Sequence, residues 1–130
     1  MFIDDYKKGW AFRYLRESKA DLLTAEKSPA PLVAISVAAL AMKKAQAAIY
    51  YSLGDPVYLD SIIRQIAEGE TPVREPLLNC LVKIERKIRT RSEMAEALTK
   101  EEALKEAGHL IGVATDIVEA VTGEKTEEYT

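Results

Sequence analysis

The chain has 130 residues, 18 Lys/Arg against 21 Asp/Glu, a formal net charge of −3 and one cysteine. That length fits a single domain able to bury roughly two thirds of its unfolded surface without staples. The lone Cys80 excludes an internal disulfide framework and fits a reducing compartment.

Asp4, Asp5, Lys7 and Lys8 interrupt the first ten residues, so no secretory leader is expected and a cytoplasmic location is. The charge is uneven. Residues 1–91 carry 15 Lys/Arg against 11 Asp/Glu, whereas residues 92–130 carry 3 against 10. A charge-rich chain with one cysteine also suits the soluble protein of a thermophile.

The first predicted helix spans about Asp4 to Lys27. Ile3, Tyr6, Trp10 and Tyr14 recur at helical spacing, and Ala11, Leu15, Leu22 and Ala25 form a neighbouring stripe. Gly9 is its one poor helix former, at about 1 kcal/mol relative to alanine. Ser28–Pro29 stops it and can start the next, since serine caps and proline tolerates a first turn.

The second helix, Pro31–Leu53, is apolar or small on almost every side. Lys43, Lys44 and Gln46 are its strongly polar side chains. A helix apolar all round must be surrounded, so this segment is predicted to be the axis of the fold. Its length approaches the ~20 residues of a membrane span. However, the two lysines sit mid-segment, where charge is costly, and alanine dominates leucine. A buried core helix is expected, with no membrane.

Gly54 is predicted to end this helix in a left-handed cap, and Asp55–Pro56 to start a short third one. That helix carries Leu59, Ile62, Ile63 and Ile66 on one face and closes at Gly69. Thr71–Pro72 repeats the start signal. The fourth helix carries Leu77, Leu81, Ile84 and Ile88 on one stripe, with Leu78 and Val82 beside it. Cys80 lies in this apolar stretch and reads as a small buried hydrophobe. Thr99 and Glu102 match a capping box and open the last helix. Its apolar face holds Leu104, Ala107, Ile111, Ala114, Val118 and Val121, and Gly123 ends it.

No stretch alternates with period two long enough for a strand, and no repeat is evident. Short loops between long helices imply antiparallel neighbours. The fold class expected is all-α: an antiparallel up-and-down four-helix bundle with a short additional helix. It occupies residues 1–123, followed by a disordered polar tail at 124–130.

Several residue sets invite a chemical reading. Glu106 and His109 spell Glu-x-x-His, half of a di-iron carboxylate motif, but a second histidine is lacking and the central helix carries no acid. Glu93 and Glu96, with Asp116 and Glu119, resemble the paired carboxylates with which all-helical pyrophosphohydrolases hold magnesium. The second pair has the reverse order, and Glu-x-x-Glu is common on solvated helices. No metal or other cofactor is expected. One histidine and one cysteine supply no nucleophile–base set.

Lys83, Arg86, Lys87, Arg89 and Arg91 form the densest basic cluster, opposed by Glu85. It reads either as a solvated face suited to a helix C-terminus and paired with the acidic last helix, or as a phosphate-binding patch for nucleotide or RNA. Lys43 and Lys44 must snorkel or pair, or else contact a ligand. Gly108 and Gly112 allow close helix approach. Trp10, Tyr14, Tyr50, Tyr51 and Tyr58 read as core or interface. Together Lys43, Lys44, Lys83, Arg86, Lys87, Arg89, Arg91 and His109 are the candidate ligand-binding residues.

The order of segments resembles the HEPN domain (higher eukaryotes and prokaryotes nucleotide-binding) over roughly Trp10 to Val121. "WAFRYLRESKADLLTAE" looks like that family's opening helix, with Ala20, Leu22, Leu23 and Ala25 approximating its pattern. "VAALAMKKAQAAIYYSLG" is similar to its small-residue helix and "TKEEALKEAGHLIGVATDIV" to its closing helix. The resemblance implies a dimerising helical module, often partnered by a small nucleotidyltransferase. Catalytic members are ribonucleases in which four to six residues separate an arginine from a following histidine. Here Glu102, Ala103 and Leu104 occupy the corresponding positions before His109, and Arg89 and Arg91 have no histidine in reach.

The expected function is therefore a non-catalytic homodimer that binds a nucleotide-type ligand or a protein partner. Surplus apolar stripes on the first, second and last helices support dimerisation. The Trp10–Tyr14 side or the last helix is the expected interface. The alternative is a nucleotide- or RNA-acting hydrolase using residues 83–91 and His109.

Overall fold

The structure is a computed structural model that describes residues 4–70, 72–93 and 97–126. Over these residues it is all-helical, with no strand. Five helices follow in order: α1 (Asp5–Lys27), α2 (Pro31–Leu53), α3 (Pro56–Glu68), α4 (Pro76–Glu93) and α5 (Lys100–Thr122). Ile3, Thr71, Glu96 and residues 127–130 of the expected tail lie outside the described residues.

Local chemistry sets most helix ends. Asp4 caps α1 by accepting from the Lys7 N–H at 2.7 Å. Asp55 caps α3 through Val57 and Tyr58, and Thr99 caps α5 through Glu102. Two starts differ from expectation. Ser28 closes α1 and Ala30, not serine, precedes Pro31 at the start of α2. Pro72 is not helical; α4 begins at Pro76, where the Glu75 carboxylate accepts from the Leu77 and Leu78 N–H groups. Glutamate thus replaces the threonine cap the sequence suggested.

Gly54 also departs from expectation, with φ 162°, an extended conformation rather than a left-handed one. Gly123 does adopt the left-handed cap, at φ 75°. Beyond it, Glu124 pairs with Lys8, and the Thr126 N–H donates to Glu119 at 2.6 Å.

α2 touches every other helix. It runs opposite to α1: Trp10 and Tyr14 stack on Tyr51, Ser18 Oγ donates to the Ala41 carbonyl at 2.6 Å, and Asp21 meets Lys44. α5 also opposes α1. Lys100 Nζ donates to the Ser28 carbonyl at one end, and Glu124 meets Lys8 at the other. α4 lies against α2 and α3, and its Arg91 reaches Glu106 on α5.

Buried Ala34, Ala38, Ala41, Ala45 and Ala48 let these neighbours approach α2 closely. Phe12, Leu15, Ile49, Ile63, Val82 and Val118 are fully enclosed. Each such side chain stabilises the fold by about 1.5–3 kcal/mol. On α1 the buried stripe is Ala11, Phe12, Leu15, Ser18 and Ala25, whereas Tyr6 is 72 % exposed. Gly108 makes room only for ordinary contact with Leu22, and Gly112 faces open space. Neither is a site of unusually close approach.

The expected enclosure of α2 fails on one side. Leu32, Val33 and Leu40 are 71 %, 53 % and 46 % exposed. α2 is long and apolar enough to span a membrane by length and composition, and half of its most apolar window is buried inside the protein. The outward ridge it leaves carries Leu32, Val33, Ser36 and Leu40 and reaches Lys43 further on.

Candidate functional site

The basic cluster of α4 does not form one surface. Five cations over nine positions cannot share a face of a helix with 3.6 residues per turn. Arg86 turns to the end of α3, donating to the carbonyls of Ala67 at 3.3 Å and Gly69 at 2.9 Å. It thereby satisfies acceptors that the helix terminus leaves open. Arg89 donates to Glu85 at 3.2 Å and lies 3.9 Å from Glu68. Arg91 grips Glu106 through both carboxylate oxygens, a bidentate pair of the strong kind. That hydrogen bond outweighs partial burial and holds the Glu106 carboxyl below the usual range, helped by the charges of Lys87 and His109.

Lys83 and Lys87 remain. One turn apart, they face the same way, into a groove of about 340 Å³ between α4 and α5. His109 enters it from the exposed stripe of α5. Ile84, Leu110 and Val113 supply apolar wall, with Asn79 and the partly buried Cys80 beside them. Cys80 is therefore a groove residue rather than a fully enclosed one. Among the described residues no carboxylate lines this groove, and the nearby Glu106 is engaged by Arg91. The arrangement offers two ammonium groups and an imidazole to an anion, next to apolar surface for a planar body.

Lys43 and Lys44 diverge although adjacent in sequence. Lys44 reaches α1, 2.8 Å from Asp21 and 3.4 Å from Glu17. The Asp21 hydrogen bond outweighs desolvation and raises its pKa. Lys43 faces a larger cleft of about 670 Å³ between α2, α3 and α4, shared with Arg89 and with Arg64 of α3. Gln46, Tyr50 and Glu85 belong to this cleft and are buried. Burial pushes the Tyr50 phenol pKa up, reinforced by the negative charges of Glu85 and Asp60.

The eight sequence-predicted residues thus separate. Lys83, Lys87 and His109 share one groove, and Lys43 and Arg89 share another. Arg86, Arg91 and Lys44 make contacts that tie helices together. Sequence reasoning missed Gln46, Tyr50, Glu85 and Arg64. Two of them carried a signal: Gln46 is a polar residue on an apolar helix, and Glu85 is the acid inside the basic run.

The aromatic residues split likewise. Trp10, Tyr14 and Tyr51 stack together, with the Arg13 guanidinium 4.8 Å from the Trp10 ring centroid, while Tyr58 is exposed. Such stacking stabilises the α1–α2 contact. Among the described residues, no three His, Cys, Asp or Glu side chains converge as metal ligands. No family model, curated protein or solved structure matches the chain.

Proposed function

We propose that this chain is a non-catalytic helical module that binds a nucleotide-type ligand in the α4–α5 groove and works as a homodimer. In this reading α1, α2, α4 and α5 form an antiparallel up-and-down core, with α3 as the additional helix. The observation that carries the ligand assignment is the convergence of Lys83, Lys87 and His109 in a groove that no carboxylate among the described residues lines. A phosphate would meet the two lysines, and a base would lie on Ile84, Leu110 and Val113. A groove of about 340 Å³ falls in the range of small-ligand sites.

The dimer is supported by the α2 ridge. Leu32, Val33 and Leu40 are large apolar side chains left to solvent on the helix that otherwise forms the core. A second copy packed on the same ridge would cover them isologously. This moves the expected interface away from the Trp10–Tyr14 side and from the outer stripe of α5, which carries Lys105, His109, Gly112 and Asp116.

Equilibrium binding of adenosine and guanosine monophosphates tests the assignment. Lys83→Ala with Lys87→Ala should weaken binding at least about tenfold; unchanged affinity overturns it. A hydrolase reading gains support if the intact chain turns over nucleotide or RNA and His109→Ala abolishes that turnover.

A further inference from the structure

The cleft between α2, α3 and α4 suits a different ligand from the α4–α5 groove. Its charges balance, with Lys43, Arg64 and Arg89 against Asp60, Glu85 and Glu93. Four of them neutralise one another in pairs one helical turn apart: Arg64 with Asp60 at 3.1 Å, and Arg89 with Glu85 at 3.2 Å. Among the described residues, Lys43 and Glu93 have no ion-pair or hydrogen-bond partner.

These two charges sit on opposite sides of the α2–α4 seam. Gln46 meets Glu85 across it, and Met42 lines a neighbouring hollow with Arg91, so the helices run in opposite directions. Lys43 is thereby offset from Glu93 by about five residues, roughly 7 Å of helical rise. Two flexible side chains can close on a small molecule across that offset. Ile88 lies level with Lys43 on the facing helix and supplies apolar wall there. At its buried end the Tyr50 hydroxyl accepts from Gln46 at 3.1 Å, and its own proton has no acceptor among the described residues.

A polyanion would meet as many carboxylates as cations here. A molecule carrying one charge of each sign would not. We propose that this cleft binds a small zwitterion of the amino-acid type. Its carboxylate meets Lys43, its ammonium meets Glu93, and an apolar or aromatic side chain lies on Ile88. The site stands independently of the nucleotide assignment.

Calorimetric titration of the full chain with L-leucine and L-phenylalanine tests this, alongside N-acetyl-L-leucine and L-leucinamide, each of which lacks one charge. The free amino acid should bind, and each derivative should bind at least about tenfold more weakly. Lys43→Gln should weaken leucine binding while leaving leucinamide unchanged. Glu93→Gln should weaken leucine binding while leaving N-acetyl-leucine unchanged. Both side chains are exposed, so a thermal melt should show both variants folded. Absence of binding by either free amino acid at millimolar concentration overturns the proposal, as does equal binding of the charge-deleted derivatives.

Discussion

Gln46 Nε2 donates to Glu85 Oε1 at 2.7 Å across the seam between α2 and α4, and the same nitrogen donates to the Tyr50 hydroxyl at 3.1 Å. Glu85 is only 6 % exposed, and Arg89 is its one cationic partner among the described residues. A buried carboxylate persists when its oxygens are hydrogen-bonded, and the amide supplies one of those bonds.

Removing that amide leaves part of a buried charge unsatisfied. Gln46→Leu should destabilise the protein by about 2 kcal/mol in urea unfolding. Combining it with Glu85→Met should recover some of the loss, because removing both polar partners costs less than orphaning one. A loss below about 0.5 kcal/mol for the single variant would show that solvent reaches Glu85.

The α2 ridge separates assembly from folding. Leu40 is 46 % exposed, whereas Ile49 on the same helix is fully buried. Leu40→Glu should convert a dimer to a monomer in sedimentation equilibrium without lowering stability. Ile49→Ala should cost about 3 kcal/mol in stability. A wild-type chain that is monomeric at high micromolar concentration would contradict the dimer.

The Arg91–Glu106 pair makes a prediction about acid. Arg91's hydrogen bond sets the Glu106 carboxyl below its unfolded value, so the native state binds the proton less readily than the unfolded chain. The stabilisation is complete above the unfolded carboxyl pKa of about 4.3 and is lost as pH falls through the lower native value. Glu106→Gln should therefore melt lower than wild type at pH 7, with the gap narrowing toward pH 3. A constant gap across that range would show that the carboxylate's charge is not what stabilises.

Arg86 holds the end of α3. Arg86→Ala should leave the Ala67 and Gly69 carbonyls without this donor and speed hydrogen exchange in the last turn of α3 by about tenfold or less. Core amides of α2 and α5 should exchange as in wild type. Equal exchange throughout α3 would mean that its apolar contact through Ile63 holds it alone.

Helix existence was legible because it depends on short-range chemistry. Asp55–Pro56, Thr99 with Glu102, and Gly123 each act within a few residues of the boundary they set. The start of α4 was misread because Thr71–Pro72 and Glu75–Pro76 both precede the same apolar run, and choosing between them depends on how α4 packs on α2 and α3. The enclosure of α2 was overstated for a related reason. Apolar composition all round says that a helix is fit to be surrounded, but four other helices cannot cover every side of it, and Leu32, Val33 and Leu40 are what remain.

The basic cluster shows the limit for sites. Its five cations lie within nine positions of sequence, yet the helix turns them toward the end of α3, toward Glu85, toward Glu106 and toward the α5 groove. Only the partners' positions separate a cation that ties helices from one that faces a cavity. Lys43 and Lys44 diverge for the same reason, since successive helical positions lie about 100° apart. The cleft formed by Gln46, Tyr50 and Glu85 could not be assembled in advance, because its sides come from helices 39 residues apart in sequence at Gln46 and Glu85.

Amide chemical-shift mapping of the wild-type chain during titration with a nucleoside monophosphate tests whether the α4–α5 groove binds the ligand. Binding there should give saturable shifts at Asn79, Lys83 and Lys87 on one side of the α4–α5 groove and at His109 and Val113 on the other. Shifts confined to the cleft around Lys43 and Arg64, or no shifts at saturating ligand, would contradict it.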